Sequence, residues 1–218
     1  MYKTKVLLVD DHTIVREGIR ALLDVRENIE VIGEAEDGRQ AVEKAGELTP
    51  DIILIDITMP NLNGIEATRQ IKKKSPEIKL LALTAHDNKE YIHQILQAGA
   101  SGYLLKDFAV SDLVSAINAV KKGDIFLSPP ISRVVVKDYL RYVNSESEDF
   151  NSLNILTGRE REILQLVAEG NTNKKIAHLL KLSTKTIEAH RFHVMDKLHI
   201  RNVTGLVKYS IRTGLIKA

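Results

Sequence analysis

Residues 5–11 read KVLLVDD and residues 52–60 read IILIDITMP, and these two stretches decide the fold. Each contains an apolar run, at 6–9 and 52–55, that no polar residue interrupts, which is typical of a parallel strand buried on both faces. Further β-rich runs lie at 31–32, 80–83 and 103–105, and stretches with helical spacing of apolar residues separate them. Five such strand–helix units predict an α/β doubly wound domain with a parallel sheet.

The composition of the 218-residue chain excludes several classes of protein. Hydrophobic residues make up 44% and charged residues 28%, which is typical of a folded globular protein rather than a disordered one. No apolar run approaches the roughly 20 residues that a membrane-spanning helix needs. The chain has no cysteine, and its early acidic pair argues against a secretory signal. We therefore expect no disulfide, no thiolate metal site and a cytoplasmic location.

Charge is distributed unevenly along the chain. Residues 1–124 carry a net charge of −4, whereas residues 151–218 carry +7. Between them lies a segment with two prolines and the acidic, serine-rich run SESED at 145–149, a composition that favours a linker. We predict a first domain over 1–124, a linker over 125–152 with one short helix, and a second domain over 153–218. A basic second domain suggests a polyanionic partner.

The second domain is predicted to be a small all-α domain of four helices. Thr157 and Glu160 form a capping-box pattern at the start of the first helix. The second helix covers about 173–180 and the third runs from Ser183 or Thr184 to about residue 198. The three-residue turn between them indicates a helix-turn-helix.

The carboxyl ends of the predicted strands carry polar residues that can form one site. In the flavodoxin-like order 2-1-3-4-5, strands 1 and 3 are neighbours, so Asp10, Asp11 and Asp56 converge where doubly wound sheets bind ligands. Three like charges need a cation, and all-oxygen ligation favours Mg²⁺. An aspartate beside Mg²⁺ is a competent nucleophile toward phosphorus. Thr84 and Lys106, at the ends of strands 4 and 5, can contact phosphoryl oxygens.

The first domain resembles the receiver domain of two-component response regulators. The matching residues are Asp10-Asp11, Asp56 to Pro60 with Gly64, Thr84-Ala85, and Gly102 to Lys106. The resemblance implies that Asp56 is the phosphoacceptor and that its donor is a sensor histidine kinase. It implies a Mg²⁺ site formed by Asp10, Asp11, Asp56 and the backbone carbonyl of Thr58.

The same resemblance assigns roles around the phosphoryl group. Thr84 and Lys106 would contact and stabilise its oxygens. Thr84 and Tyr103 would form the switch pair, with the Tyr103 ring turning inward when Thr84 moves toward the phosphoryl group. Two residues would set the lifetime of the phosphorylated state: Thr58 and His86.

Residues 153–218 resemble the LuxR-type helix-turn-helix. The matching stretches are LTGRERE at 156–162, GNTNKKIA at 170–177 and STKTIEAH at 183–190. A receiver joined to this module resembles the NarL/FixJ family, which implies a phosphorylation-controlled transcription regulator that binds double-stranded DNA, with RNA polymerase as a further candidate partner and no membrane partner.

Nine residues are candidate DNA contacts: Asn173, Lys174, Lys175, Thr184, Lys185, Thr186, Glu188, Arg191 and Lys197. The first three lie at a helix start, where backbone N–H groups and cations suit phosphates. Glu188 leaves two interpretations open. It can accept a hydrogen bond from cytosine N4 or orient Arg191, or it can simply face solvent.

Two other classes of function deserve comparison. A phosphohydrolase of the haloacid-dehalogenase type needs an acid two residues after its nucleophile, and Thr58 occupies that position. We therefore expect no enzyme activity beyond slow Mg²⁺-dependent self-phosphorylation from small donors and slow self-dephosphorylation. An RNA-binding output module is disfavoured because the second domain lacks aromatic stacking platforms and the chain has no tryptophan.

The last helix indicates how the protein assembles on DNA. It carries more apolar residues than a small core needs, and we predict a homodimer on two half-sites through Val203, Leu206 and Val207. Two modes of control remain open: the acidic receiver masks the basic DNA-binding helix, or phosphorylation acts only by dimerising receivers.

Overall fold

The computed structural model describes residues 3–85, 89–144 and 155–216, with no side chains described for 141–144. The chain forms two compact units, Met1–Asn144 and Ser145–Ala218. Among the described residues, no helix combines the length and apolar character that crossing a bilayer requires.

The first unit is built on a sheet of six strands, all parallel, in the order β2-β1-β3-β4-β5-β6. The strands are β1 (Thr4–Val9), β2 (Ile29–Ala35), β3 (Ile52–Asp56), β4 (Lys79–Thr84), β5 (Gly102–Leu105) and β6 (Phe126–Leu127). The predicted flavodoxin-like order of the first five strands is confirmed. The sixth strand was not predicted, since two residues carry no periodic signal.

Helices cover both faces of this sheet. They are α1 (Thr13–Asp24), α2 (Gly38–Leu48), α3 (Gly64–Lys74), α4 (Lys89–Gln97), α5 (Val110–Lys122) and α6 (Pro129–Asn144). Residues alternate along β1, so Leu8 packs with α1 and α5 while Leu7 packs with α2 and α3. A third cluster joins α4 to the ring of Tyr103 on β5. The doubly wound architecture is thereby confirmed.

The structure differs from the sequence prediction over residues 125–144. We predicted a domain boundary at 124 and then a linker with one short helix, but the first compact unit runs to Asn144. The 16-residue helix α6 is part of it. Ile131 of α6 is fully buried in the cluster that contains Tyr103, so apolar burial against α4 and β5 places this stretch in the first unit. The rest of the predicted linker, residues 145–152, lies outside the described residues.

The second unit contains four described helices, as predicted. They are α7 (Gly158–Ala168), α8 (Asn173–Leu180), α9 (Thr184–Lys197) and α10 (Val203–Arg212). The capping box at the start of α7 is confirmed, because Thr157 and Glu160 exchange side-chain and backbone hydrogen bonds. Ser183 caps α9 by accepting from the backbone N–H of Thr186. The turn before it begins at Lys181, which adopts left-handed φ of 53°, so α8 and α9 form the predicted helix-turn-helix.

Candidate functional site

Strand register gathers the predicted pocket residues at one edge of the sheet. Val9 pairs with Ile55 across β1 and β3, which sets Asp10 beside Asp56 at the carboxyl ends of both strands. The N–H of Lys106 donates to the carbonyl of Thr84 at 2.7 Å, which sets the ends of β4 and β5 side by side. The strand ends therefore line one crevice, as the doubly wound topology requires.

Lys106 joins the two central carboxylates. Its Nζ lies 2.6 Å from Asp10 Oδ2 and 3.1 Å from Asp56 Oδ2. Burial by itself lowers the pKa of Lys106, but the charge of Asp56 and the hydrogen bond and charge of Asp10 outweigh it, and the net pKa is raised. The crevice thus holds a permanently charged ammonium against the predicted phosphoacceptor, where it can neutralise an added phosphoryl oxygen.

The acidic residues of the crevice form a group that can hold a cation. Asp10, Asp11, His12 and Asp56 each offer a ligand atom, and these atoms lie within 4.8 Å of one another. Three of the four are carboxylates, the hard oxygen ligands that suit Mg²⁺. Asp10 and Asp56 are buried, so a divalent cation here would offset the cost of confining their charges.

His12 was not predicted from the sequence. Its Nδ1 lies 2.8 Å from Asp11 Oδ1 and 3.2 Å from Asp10 Oδ1, and its backbone N–H donates to Asp10 Oδ1 at 2.9 Å. The sequence indicated only that His12 directly follows the acid pair, and this position does not predict the direction of its side chain.

The loop after β3 is pressed against the predicted phosphoacceptor. A Cβ on Gly64 would lie 2.0 Å from the backbone oxygen of Asp56, so a side chain cannot fit there. The N–H of Gly64 donates to the carbonyl of Ile57 at 2.8 Å. Asp56 Oδ1 accepts from the N–H of Ile57 at 2.8 Å. Thr58 is buried within this loop, and the role predicted for its carbonyl stays a prediction.

The two predicted switch residues are both fully buried. Thr84 ends β4, and the ring of Tyr103 packs among Ile57, Ile92 and other members of the α4 cluster. The Tyr103 ring is therefore directed inward in this structure. His86, predicted to set the phosphoryl lifetime, lies outside the described residues.

In the second unit, the predicted DNA-contact residues divide by exposure. Six are exposed to solvent: Lys174, Lys175, Thr184, Lys185, Glu188 and Lys197. Asn173, Thr186 and Arg191 are half-buried. Arg191 Nη1 donates to Asn173 Oδ1, so this pair ties the start of α8 to the middle of α9 and braces the helix-turn-helix.

Lys197, another predicted DNA contact, is exposed and forms an ion pair within its own unit. Its Nζ lies 2.8 Å from Glu160 Oε2 of the capping box, and Glu160 is buried. Burial raises the pKa of Glu160, but the bonds from Lys197 and Thr157 outweigh it, and the pKa is lowered. Lys197 thus joins the end of α9 to the start of α7, and its contact with DNA stays a prediction.

Phe192 is a surface feature that the sequence reasoning missed. It is 69% exposed on α9. It follows Lys185 by seven residues and Glu188 by four, so all three share one side of the helix. The spacing of Phe192 from these two polar residues could have predicted that it lies on their side of the helix.

The predicted dimer residues on α10 require one correction. Leu206 is 1% exposed and packs in the core of its own unit. It cannot line an interface between copies, because four helices of this size need its side chain inside. Val203 and Ile211 are exposed and Val207 is half-buried. These three follow one another at intervals of four residues, so the apolar stripe left on the surface is Val203, Val207 and Ile211.

Both units match known protein families. Residues 6–118 match the model of the response regulator receiver domain, and residues 154–210 match that of the bacterial regulatory proteins of the luxR family. Together these two matches cover most of the chain in the order that the sequence predicted.

Relatives match along the whole length. The transcriptional regulatory protein DegU of Brevibacillus brevis is 36% identical over 226 residues, covering 99% of this chain and 96% of the relative. The oxygen regulatory protein NreC of Staphylococcus carnosus is 38% identical over 217 residues, covering 97% and 99%.

Solved structures agree with these relatives. The RcsB response regulator of Salmonella typhimurium is 29% identical, with a TM-score of 0.57, over 96% of this chain and 98% of that one. A structure of an RcsB–DNA complex matches with a TM-score of 0.58 at 29% identity, again over 96% and 98%. The chain therefore belongs to the NarL/FixJ family of two-component response regulators, in which a receiver domain is joined to a LuxR-type DNA-binding domain that regulates transcription.

Proposed function

We propose that Asp56 is the residue that receives the phosphoryl group. The observation that carries this proposal is the position of its carboxylate, buried at the end of β3 with Lys106 at 3.1 Å and two further carboxylates at the next strand end. An Asp56 oxygen forms the new O–P bond while the bond from phosphorus to the donor breaks. The donor is a phosphohistidine of a sensor kinase or a small acyl phosphate.

The carboxylates of Asp10, Asp11 and Asp56 fit Mg²⁺, and the backbone carbonyl of Thr58 is the further ligand we propose. Bound Mg²⁺ supplies charge neutralisation between the phosphoryl oxygens and these acids. The chain's own contribution is to fix the carboxylates on adjacent strand ends and to hold Lys106 charged beside them. Thr84 then donates a hydrogen bond from its hydroxyl to a phosphoryl oxygen, and Thr84 acts with Tyr103, whose ring is already buried in this structure, as the switch pair.

Turnover is expected to be slow. The acyl phosphate has no neighbouring acid two residues after Asp56, because Thr58 stands there. We propose that self-phosphorylation from small donors and self-dephosphorylation proceed only slowly, and that Thr58 and His86 set the lifetime.

The test of the phosphoacceptor uses labelled acetyl phosphate with Mg²⁺. Asp56→Asn should abolish formation of an acid-stable, base-labile acyl phosphate, because the amide is not a nucleophile of comparable strength. Asp24→Asn, at an exposed position on α1, is the matched control and should be labelled like the unaltered protein. Undiminished labelling of Asp56→Asn would overturn the proposal.

We propose that the second unit places α9 in the major groove of double-stranded DNA. Supporting this are its net charge of +7 over residues 151–218 and the exposed cations at the start of α8 and along α9. Lys174 and Lys175 would contact phosphates, and Lys185 and Glu188 would reach base edges. The domain division that fits these roles is a receiver up to residue 144, with the DNA-binding domain from 153, and the cytoplasmic location remains a prediction.

We propose further that two copies bind DNA together through the stripe formed by Val203, Val207 and Ile211. Solved RcsB dimers bound to DNA support this assembly by analogy. A sensor histidine kinase is the proposed upstream partner, and RNA polymerase is a further candidate partner.

The dimer is tested by sedimentation of the protein on a duplex that carries two half-sites. Two copies per duplex are expected for the unaltered chain. Val203→Lys should reduce the assembly to one copy, because a charge in an apolar stripe is costly to bury. Thr204→Lys, next to it on an exposed position, is the control and should leave two copies bound. One copy per duplex for the unaltered protein would contradict the proposal.

A further inference from the structure

Arg16 on α1 is buried directly behind the acidic crevice. Only 5% of its surface is exposed, whereas Arg20, one turn later, has 44% of its side chain exposed. The Nη1 of Arg16 donates to the backbone carbonyl of Asp10 at 2.6 Å. A guanidinium is costly to bury, so its placement here needs partners that compensate the charge.

Those partners come from the neighbouring strand. Arg16 Nε lies 3.3 Å from Glu34 Oε2 on β2, and Nη2 lies 3.3 Å from Glu36 Oε1 just beyond it. Nη2 also donates to Thr13 Oγ1 at 3.4 Å. The planar guanidinium thus holds four acceptors in a fixed arrangement, which an ammonium group cannot reproduce. Through them the start of α1 is fastened to the end of β2.

The bond to Asp10 acts on the peptide that joins the two predicted metal ligands. The carbonyl of Asp10 belongs to the Asp10–Asp11 peptide, and the N–H of Asp10 donates to the carbonyl of Ala35 at 3.1 Å. The helix that follows has no capping side chain, since His12 makes no capping bond. Arg16 therefore supplies the side-chain contact that fixes the orientation of this peptide.

We propose that Arg16 is a positioning residue for Mg²⁺, acting through the Asp10 carbonyl to aim the carboxylates of Asp10 and Asp11 toward Asp56. The proposal rests on the proposed phosphoacceptor function. Groups behind the ligands of a metal site commonly change metal affinity by about 10- to 100-fold. Loss of Arg16 should accordingly change the free energy of Mg²⁺ binding more than it changes the free energy of unfolding.

The experiment measures Mg²⁺ binding by calorimetry with the metal alone, in the full chain. Arg16→Gln should raise the Mg²⁺ dissociation constant about tenfold or more. Arg16→Lys should raise it by a smaller factor, because an ammonium keeps the positive charge but cannot serve all four acceptors. Arg20→Gln is the matched control. It removes the other guanidinium that contacts Glu34, at 2.6 Å, and in the described part of the chain Arg20 makes no contact with Asp10. This variant should leave the dissociation constant within about twofold.

A second readout separates positioning from mere folding. The Mg²⁺ concentration for half-maximal labelling of Asp56 should rise for Arg16→Gln, while the labelling rate at saturating Mg²⁺ stays close to that of the unaltered protein. Thermal unfolding in the presence of a chelator shows whether each variant folds without Mg²⁺. If Arg16→Gln does not fold, Arg16→Lys is compared with the unaltered protein in its place.

The outcomes are distinguishable. Equal Mg²⁺ affinity for Arg16→Gln, Arg16→Lys and Arg20→Gln, with Asp56 still labelled, would overturn the role of Arg16 alone. Failure of the unaltered protein to bind Mg²⁺ or to be labelled would overturn the proposed function and this inference together.

Discussion

Phe192 is the most exposed large apolar side chain among the described residues of the second unit. If α9 lies in the major groove as proposed, this ring is presented to base edges on the same side as Lys185 and Glu188. A phenylalanine has no polar group, so the feature it can recognise there is the methyl group of thymine. Exposing such a ring on a free surface has no benefit for folding.

Replacing thymine by uracil removes only that methyl group and so tests Phe192 directly. On a duplex selected from random sequences, the unaltered protein should bind about fourfold more weakly after the replacement at the contacted position, by the free energy of burying one methyl. Phe192→Ala should show no such difference. His193→Ala, which removes the ring that lies edge-on to Phe192 at 6.2 Å, is the control and should keep the preference. A thymine preference retained by Phe192→Ala would contradict the assignment.

At the residue scale, strand ends are readable from sequence and turns are not. Asp10, Asp56 and Lys106 could be placed in one crevice because each directly follows an apolar run, and parallel strands end at one edge. His12 and Arg16 reach the same crevice through the turn and first helical turn after β1, whose geometry no spacing rule supplies. The contact between Lys197 and Glu160 was not predicted, because the two residues are 37 apart in the sequence.

Helix α6 is held on the first unit by a buried charge as well as by apolar packing. Asp138 lies 2.9 Å from Lys89 Nζ and 3.1 Å from His93 Nε2, both on α4. Burial raises the pKa of Asp138, but the hydrogen bonds from Lys89 and His93 outweigh it, and the net pKa is lowered. A carboxyl group whose pKa is lowered by folding stabilises the fold while it is ionised.

This arrangement predicts how stability depends on pH. The contribution of Asp138 is present above the ordinary aspartate pKa of about 3.9 and is lost as the pH falls through the lower folded value. Asp138→Asn should reduce the free energy of unfolding by about 1–2 kcal/mol near pH 7, since it removes charged hydrogen bonds. The difference should persist down to about pH 4 and narrow only below it.

Urea unfolding of the full chain, followed by circular dichroism at several pH values, measures this dependence. Asp124→Asn, on an exposed position of the same unit, is the control and should show neither the loss nor its pH dependence. A constant deficit for Asp138→Asn at all pH values would mean that the ion pair is not its source.

The helices of the second unit were predictable because residues that cap helices stand at their starts. Three helices are capped by a side chain that accepts a hydrogen bond from a backbone N–H: those of Thr157, Ser183 and Asn202. These residue types are typical of a helix start. Helix α6 gave a weaker signal, because its buried side chains Ile131 and Asp138 find their partners on α4, some 45 residues earlier for His93. Its length and its place in the first unit depend on those distant contacts.

At the scale of the whole molecule, the two units differ in charge and in internal construction. Each has its own apolar core. The described core of the second unit is formed by residues of α7 to α10 and of the turns that flank these helices. The net charges of −4 over 1–124 and +7 over 151–218 have opposite sign. A second unit with its own core should fold when it is separated from the first.

Separating the units decides between the two modes of control that the sequence left open. If the acidic receiver competes with DNA for the basic helix, a fragment comprising residues 145–218 should bind duplex DNA without phosphorylation. It should bind more tightly than the unphosphorylated full chain by about tenfold, because a tethered competitor acts at roughly millimolar effective concentration, and even weak docking is then sufficient.

The comparison is made by fluorescence anisotropy at matched salt, since a fragment with a charge of +7 over 151–218 gains affinity at low ionic strength. The control is the full chain phosphorylated at Asp56, which should approach the affinity of the fragment if phosphorylation relieves the competition. If instead phosphorylation acts by dimerising receivers, the fragment lacks the element that pairs. It should then bind no better than the unphosphorylated chain, while the phosphorylated chain alone gains affinity and sediments as a dimer without DNA. That pattern would exclude masking, because masking requires the fragment to be the tighter binder.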